Sequence, residues 1–180
     1  DAHGITWADY TIDLADIMLF VDFYGDHLDK VKTYEDFLLA AQTGTLPQVS
    51  IISPGHAIYS EEDPNDIQLG EAYSSAIVNA LMHGPAWEKT ALFFMYDEHG
   101  GYYDHVPPPP AIAPDDIPPN TTVPPDEPGG YDQYGVRVPA IVISPYAKRD
   151  YVSSVVHDHT SVLKFIETKF NLGAMTYRDA

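Results

Sequence analysis

Apolar positions recur along this chain in two patterns, and their alternation predicts its elements. From Leu69 to Met82, the residues Leu69, Ala72, Tyr73, Ala76, Ile77, Ala80 and Leu81 follow the i, i+3, i+4, i+7 spacing of a helix buried along one face. Gly84-Pro85 marks its end. The chain from Asp1 to Gly44 reads as an irregular stretch followed by a helix, because Tyr34, Phe37, Leu38 and Ala41 recur at helical spacing before a glycine stop. Val162, Leu163, Phe165, Ile166 and Phe170 predict a third helix over Thr160 to Phe170, with Asp158 near the start, where a carboxylate is favoured.

Three other apolar stretches are continuous and short, as expected of buried strands. Gln48 to Ile52 ends at the turn Ser53-Pro54-Gly55, and a loop follows to Asp66. Thr90 to Asp97 (T-A-L-F-F-M-Y-D) reads as an inner strand covered on both faces, and Val138 to Ser144 (V-P-A-I-V-I-S) as another buried strand stopped by Pro145. Between Pro107 and Pro128 lie ten of the sixteen prolines, which makes this segment a long irregular excursion. Strands alternating with helices predict an α/β fold with a mostly parallel sheet. In such folds ligands gather beyond the carboxyl ends of the strands, so the residues that follow each strand are the place to look for chemistry.

Charge narrows the function. The 180 residues carry 9 Lys+Arg against 27 Asp+Glu, a formal net charge of −18. Nucleic-acid binding needs clustered cations to neutralise phosphates, and this chain has too few to make a basic stripe. An anionic membrane surface would repel it as well. No apolar run reaches the ~18 residues of a membrane span, and the start of the chain has no signal-peptide pattern. There is no cysteine, so any metal must be held by Asp, Glu, His or Asn.

The richest strand end is Asp97-Glu98-His99-Gly100-Gly101-Tyr102-Tyr103-Asp104-His105-Val106, with three carboxylates and two imidazoles in ten residues. Adjacent carboxylates leaving a strand repel each other unless a cation sits between them or one points to water. Gly100 and Gly101 allow the tight turn that keeps both acids on one rim. On the residues alone, an acidic solvated turn and a cation site both remain open.

This string resembles the D-E-x-x-G-x-x-D-H-V motif of the phosphoesterase family that contains bacterial and plant non-specific phospholipases C and related acid phosphatases. Gly135-Val136-Arg137-Val138-Pro139, running to Ser144-Pro145, is similar to the family's G-x-R-V-P and S-P strings. Leu46-Pro47-Gln48-Val49-Ser50, Gly70-Glu71-Ala72, Trp87, Thr90 and Asp158-His159-Thr160-Ser161 extend the likeness, in the family's order, over nearly the whole chain. The resemblance implies an alkaline-phosphatase-like three-layer α/β/α fold, incomplete in this chain, and metal-dependent hydrolysis of phosphoric esters of the phospholipase C or acid phosphatase kind. It carries Asp97 and Glu98 over as ligands of a divalent metal ion, and hard oxygen donors at a strand end suit such a cation. It also implies a phosphoester or phospholipid substrate and, since many bacterial relatives are secreted, export.

The chain departs from the family in two ways. Its E-N-R-S-F-D motif, which supplies further ligands, and its T-x-P-N-R motif, which supplies the hydroxyl nucleophile, occur nowhere in this sequence. Residues 1–180 are therefore expected to be the C-terminal portion of a single phosphoesterase domain, with the upstream part of the same protein supplying the nucleophile. Secondly, Glu62-Asp63-Pro64 stands where the family has E-H-P, so Asp63 replaces a phosphate-contacting histidine. His56, in the same loop, is a substitute for that histidine or simply a surface residue.

His159, at a helix start, either faces phosphate or joins a capping cluster with Asp158 and Thr160. Asp104 and His105 are read as supports that orient the ligands, and Arg137 as an ion-pair partner in preference to a phosphate contact. His3, His27, His83 and His157 are read as surface residues. Glu61, Glu62, Asp63 and Asp66 lack the spacing of an EF-hand loop, and Asn120-Thr121-Thr122 fits a glycosylation acceptor. The alternative to an enzyme is a non-catalytic cation-binding domain, or an inactive fragment, that retains the fold.

Overall fold

The computed structural model describes residues 2–118 and 130–180, so the glycosylation tripeptide at 120–122 and the end of the proline-rich segment lie outside the described residues. The chain forms two compact units, residues 1–92 with 142–147 and residues 93–141 with 148–180. The fold is mixed α/β.

The first unit is built on a three-stranded parallel sheet in the order β2-β1-β3, from β1 (Trp7–Thr11), β2 (Val31–Thr33) and β3 (Val49–Ile52). Asp9 pairs with Val31 on one side and with Ile51 on the other. β3 coincides with the predicted strand, but β1 and β2 correct the reading of the first residues as irregular. The physical reason lies in the central strand itself: Trp-Ala-Asp-Tyr-Thr is not a continuous apolar run, and Ala and Asp have poor strand propensity. Asp9 is nonetheless buried, with Oδ2 accepting a hydrogen bond of 3.0 Å from the Ile17 N–H. Burial raises its carboxyl pKa. Between β1 and β2 the chain makes a 3-10 turn (Asp16–Leu19) and the short helix α1 (Val21–Asp26).

Two longer helices complete this unit. α2 (Tyr34–Thr43) starts at a reciprocal capping box, in which the Asp36 N–H donates to Thr33 Oγ1 and the Thr33 N–H to Asp36 Oδ2, both at 3.1 Å. It stops at Gly44 in the left-handed region (φ 72°), as the glycine stop predicted. α3 (Ile67–His83) begins two residues before the predicted helix, where Asp66 accepts from the Gln68 N–H. Phe37 and Ala41 of α2 and Tyr73, Ile77 and Leu81 of α3 form one core with Ala8 and Tyr10 of β1. Tyr10 meets Phe37 edge to face at 5.5 Å.

β4 (Leu92–Met95) and β5 (Ala140–Ile143) pair as a second, two-stranded sheet. Both match predicted strands, but their burial does not. β4 is half-buried throughout, and Ile141 and Val142 of β5 are 54% and 51% exposed. A continuous apolar run reports a strand that can be covered on both faces; among the described residues each of these strands pairs with the other alone. α4 (Thr160–Phe170) matches the predicted helix and packs Phe165 on Phe93, ring centres 4.9 Å apart. Residues 107–118 contain no helix or strand apart from an isolated bridge between Pro110 and Gln133. Among the described residues no helix is long and apolar enough to cross a membrane.

Candidate functional site

The end of β4 delivers Asp97 and Glu98 directly into an exposed turn. Gly100 and Gly101 adopt φ 59° and 77°, and the Tyr102 N–H closes the turn on the His99 carbonyl at 3.0 Å. These positive angles are the reason for two glycines, since a side chain is strained there. Neither the Asp97 nor the Glu98 carboxylate has a hydrogen-bond or ion-pair partner among the described residues. Two unengaged hard oxygen donors suit part of the coordination shell of a divalent cation, which takes six or more oxygens. They do not complete it: no group of three or more His, Asp or Glu able to hold a metal occurs among the described residues.

The start of α4 comes to the same strand end. His159 Nε2 lies 2.8 Å from the carbonyl oxygen of Tyr96, the residue before Asp97. A carbonyl only accepts, so this bond requires the proton on Nε2. The His159 ring is thus held by the Tyr96 carbonyl and stands outside the capping cluster. Its ring makes no capping bond, and the helix start is closed instead by its neighbours, with Thr160 Oγ1 donating to Asp158 Oδ1 at 2.6 Å and the Ser161 N–H donating to the Asp158 carbonyl.

Asp104 and Arg137 form a forked ion pair, Nε to Oδ2 at 2.7 Å and Nη2 to Oδ1 at 2.9 Å. This is the ion pair preferred for Arg137 over a phosphate contact. The guanidinium holds the Asp104 carboxyl well below the usual carboxylate range. His105 Nδ1 stands 3.6 Å from the same carboxylate.

His56 and Asp63 belong to the first unit. Asp63 is exposed and has no partner among the described residues. His56 Nδ1 lies 3.2 Å from Asp13 Oδ1, a neighbour the sequence reading did not supply. Asp13 follows β1, and Ser53, which follows β3, donates a 2.6 Å hydrogen bond to Asp16. Because β1 and β3 are parallel, these polar groups all gather at the carboxyl edge of the sheet. A strand assignment for Trp7 to Thr11 would have pointed to Asp13 and Asp16 by the rule that pointed to Asp97.

Comparison with known proteins agrees with these motifs. The Phosphoesterase family matches residues 2–173. The chain is similar to "Non-hemolytic phospholipase C" of Burkholderia pseudomallei, 41% identical over 139 residues that make up 72% of this chain and 20% of that protein. It is 39% identical over 145 residues to "Phospholipase C A" of Mycobacterium tuberculosis, covering 76% of this chain and 28% of that one. With "Non-specific phospholipase C1" of Arabidopsis thaliana it is 29% identical along its entire length, against 37% of that relative. The chain thus spans only a minor part of the relatives it matches.

Proposed function

Because this chain belongs to the phosphoesterase family, we propose that it acts in the hydrolysis of phosphoric ester bonds, in the manner of a phospholipase C or an acid phosphatase, at a site around Asp97, Glu98 and His159. The observation that carries this reading is the convergence of the D-E-H-G-G-Y-Y-D-H-V turn after β4 and His159 before α4 on a single backbone carbonyl, that of Tyr96.

Asp97 and Glu98 would hold a divalent metal ion through their carboxylate oxygens. The chemistry supplied by a bound cation of this kind is neutralisation of charge on the phosphoryl oxygens and activation of a nucleophile. The chain's own residues do the rest. Asp97 and Glu98 sit on an exposed rim that a substrate can reach. The Tyr96 carbonyl fixes the tautomer of His159, so that its Nδ1 accepts a proton in the neutral ring and donates one in the charged ring, as general acid–base catalysis at a phosphate ester requires. The nucleophile and further ligands would come from the upstream part of the same protein, since the family's strings for them do not occur in this sequence.

The test is release of phosphate from p-nitrophenyl phosphate and of headgroup phosphate from phosphatidylcholine vesicles by the complete polypeptide that carries this chain. The reading expects turnover that EDTA abolishes and Asp97→Asn/Glu98→Gln lowers by at least about 100-fold. Undiminished turnover in that double variant would contradict it.

A second reading is favoured by one observation, the exposed carboxylate of Asp63 where the family has histidine. A carboxylate repels phosphate unless protonated or metal-bound. That reading is a cation-binding domain without catalysis, and it expects metal binding with no turnover of either substrate.

A further inference from the structure

The turn that carries Asp97 and Glu98 is tied down at both ends to one short stretch of chain. At its start, the Tyr96 N–H donates to the Pro139 carbonyl at 3.2 Å. At its end, Asp104 takes the Arg137 guanidinium in a fork, although the two are 33 residues apart. Residues 97–103 therefore form a closed excursion whose two feet stand on residues 137–139. Between the feet, the Tyr102 N–H donates to the His99 carbonyl, and Tyr103, next to the second foot, is 90% exposed.

We propose that Arg137 is a positioning residue for the Asp97 and Glu98 carboxylates, acting through Asp104; the proposal rests on the metal-site reading above. Since neither carboxylate has a side-chain partner among the described residues, the backbone decides where both point. The backbone is in turn decided by the two feet. The Asp104 side chain is only 12% exposed, and it also accepts from the Val106 N–H at 3.2 Å, so it is a fixed anchor. An exposed ion pair ordinarily adds little stability, but a forked guanidinium–carboxylate pair sets distance and angle together, which a lysine cannot do. Without Arg137 one foot is free, and the carboxylates must be ordered by the cation itself at a cost in affinity. Residues that orient metal ligands typically change affinity by about 10–100-fold when removed.

The experiment measures Mn²⁺ affinity by calorimetry and amide hydrogen exchange without metal, on the complete wild-type polypeptide that carries this chain and on its Arg137→Ala, Arg137→Lys and Asp104→Asn variants. Expected are a Kd raised about 10–100-fold in Arg137→Ala, faster exchange over residues 97–103 and unchanged exchange in α4, which belongs to the same compact unit. Arg137→Lys should recover little, because it restores charge without the fork. If Arg137→Ala loses protection in α4 as well, it has failed to fold, and Asp104→Asn, which keeps the side-chain shape, must give the same affinity loss. Wild-type affinity or wild-type exchange at 97–103 in a folded variant overturns the proposal, as does full recovery by lysine. A wild-type protein that binds no Mn²⁺, or an Asp97→Asn/Glu98→Gln variant that binds it normally, overturns instead the metal reading beneath it, and does so without reference to Arg137.

Discussion

A 2.8 Å hydrogen bond joins the His159 imidazole to the Tyr96 backbone carbonyl across 63 residues of sequence. It places a titratable ring beside the first residue of the acidic turn and fixes which nitrogen carries the proton. His159→Ala is expected to lower phosphoester turnover by about 100- to 10,000-fold and to remove one limb of the pH–rate profile. His159→Gln, which can still donate to the Tyr96 carbonyl, should keep the metal affinity of the wild type and lose turnover. Equal pH profiles for wild type and both variants would remove His159 from the chemistry.

Asp63 allows a test of gain. Asp63→His restores the residue type of the family's E-H-P string and exchanges a repelling carboxylate for a donor. A hydrogen bond to a charged partner contributes about 1.5–3 kcal/mol, so KM for p-nitrophenyl phosphate should fall by about 10-fold or more. An unchanged KM would place Asp63 away from the substrate.

Packing of α2 against α3 depends on the absence of a side chain at Gly84. A Cβ there would stand 2.5 Å from the Ala41 carbonyl oxygen and 3.0 Å from that of Ala80, and both are backbone atoms that cannot swing away. Gly84→Ala is expected to cost about 1–3 kcal/mol of stability. Phe37→Ala, which empties the centre of the same core, should cost about 3–5 kcal/mol. Chemical denaturation of the two variants checks both values.

The pH dependence of stability should have contributions of opposite sign. Asp104 and Asp179 have carboxyls pushed below the usual range, Asp104 by Arg137 and Asp179 chiefly by the hydroxyl of Thr176. Their stabilisation is complete above the ordinary aspartate range and is lost as pH falls through their lowered values. Glu167 is raised, first by burial and then by Asp179 beside it. Its stabilisation is complete below the ordinary glutamate range and is lost as pH rises through the raised value. Glu167→Gln should therefore gain stability relative to wild type as pH rises from acid towards neutral, whereas Asp104→Asn should lose it. Melting temperatures across this range read out both signs.

Among the described residues, the helices α2, α3 and α4 and three of the five strands were legible because their apolar residues are regular or continuous, whereas the short α1 lay in the stretch read as irregular. β1 was hidden because its central residue is a buried aspartate whose partner, the Ile17 N–H, lies in the following turn. The exposure of Ile141 and Val142 was hidden for the opposite reason: an apolar run records what a strand is able to bury, not what covers it. Asp97 and Glu98 could be singled out because the chemistry and the motif are contiguous. That His159 reaches Tyr96, and that Arg137 selects Asp104 from 27 acidic residues, depends on long-range folding that spacing does not encode.

The central claim is that Asp97 and Glu98 together bind a divalent cation, and thermal melting with and without Mn²⁺ tests it most directly. A cation bound only by the native state stabilises it by about 2.7 kcal/mol at a hundred times its Kd, so the complete wild-type polypeptide that carries this chain should melt measurably higher with the metal. Asp97→Asn/Glu98→Gln should melt at one temperature with or without it. A shift of equal size in the double variant, or none in the wild type, would contradict the claim.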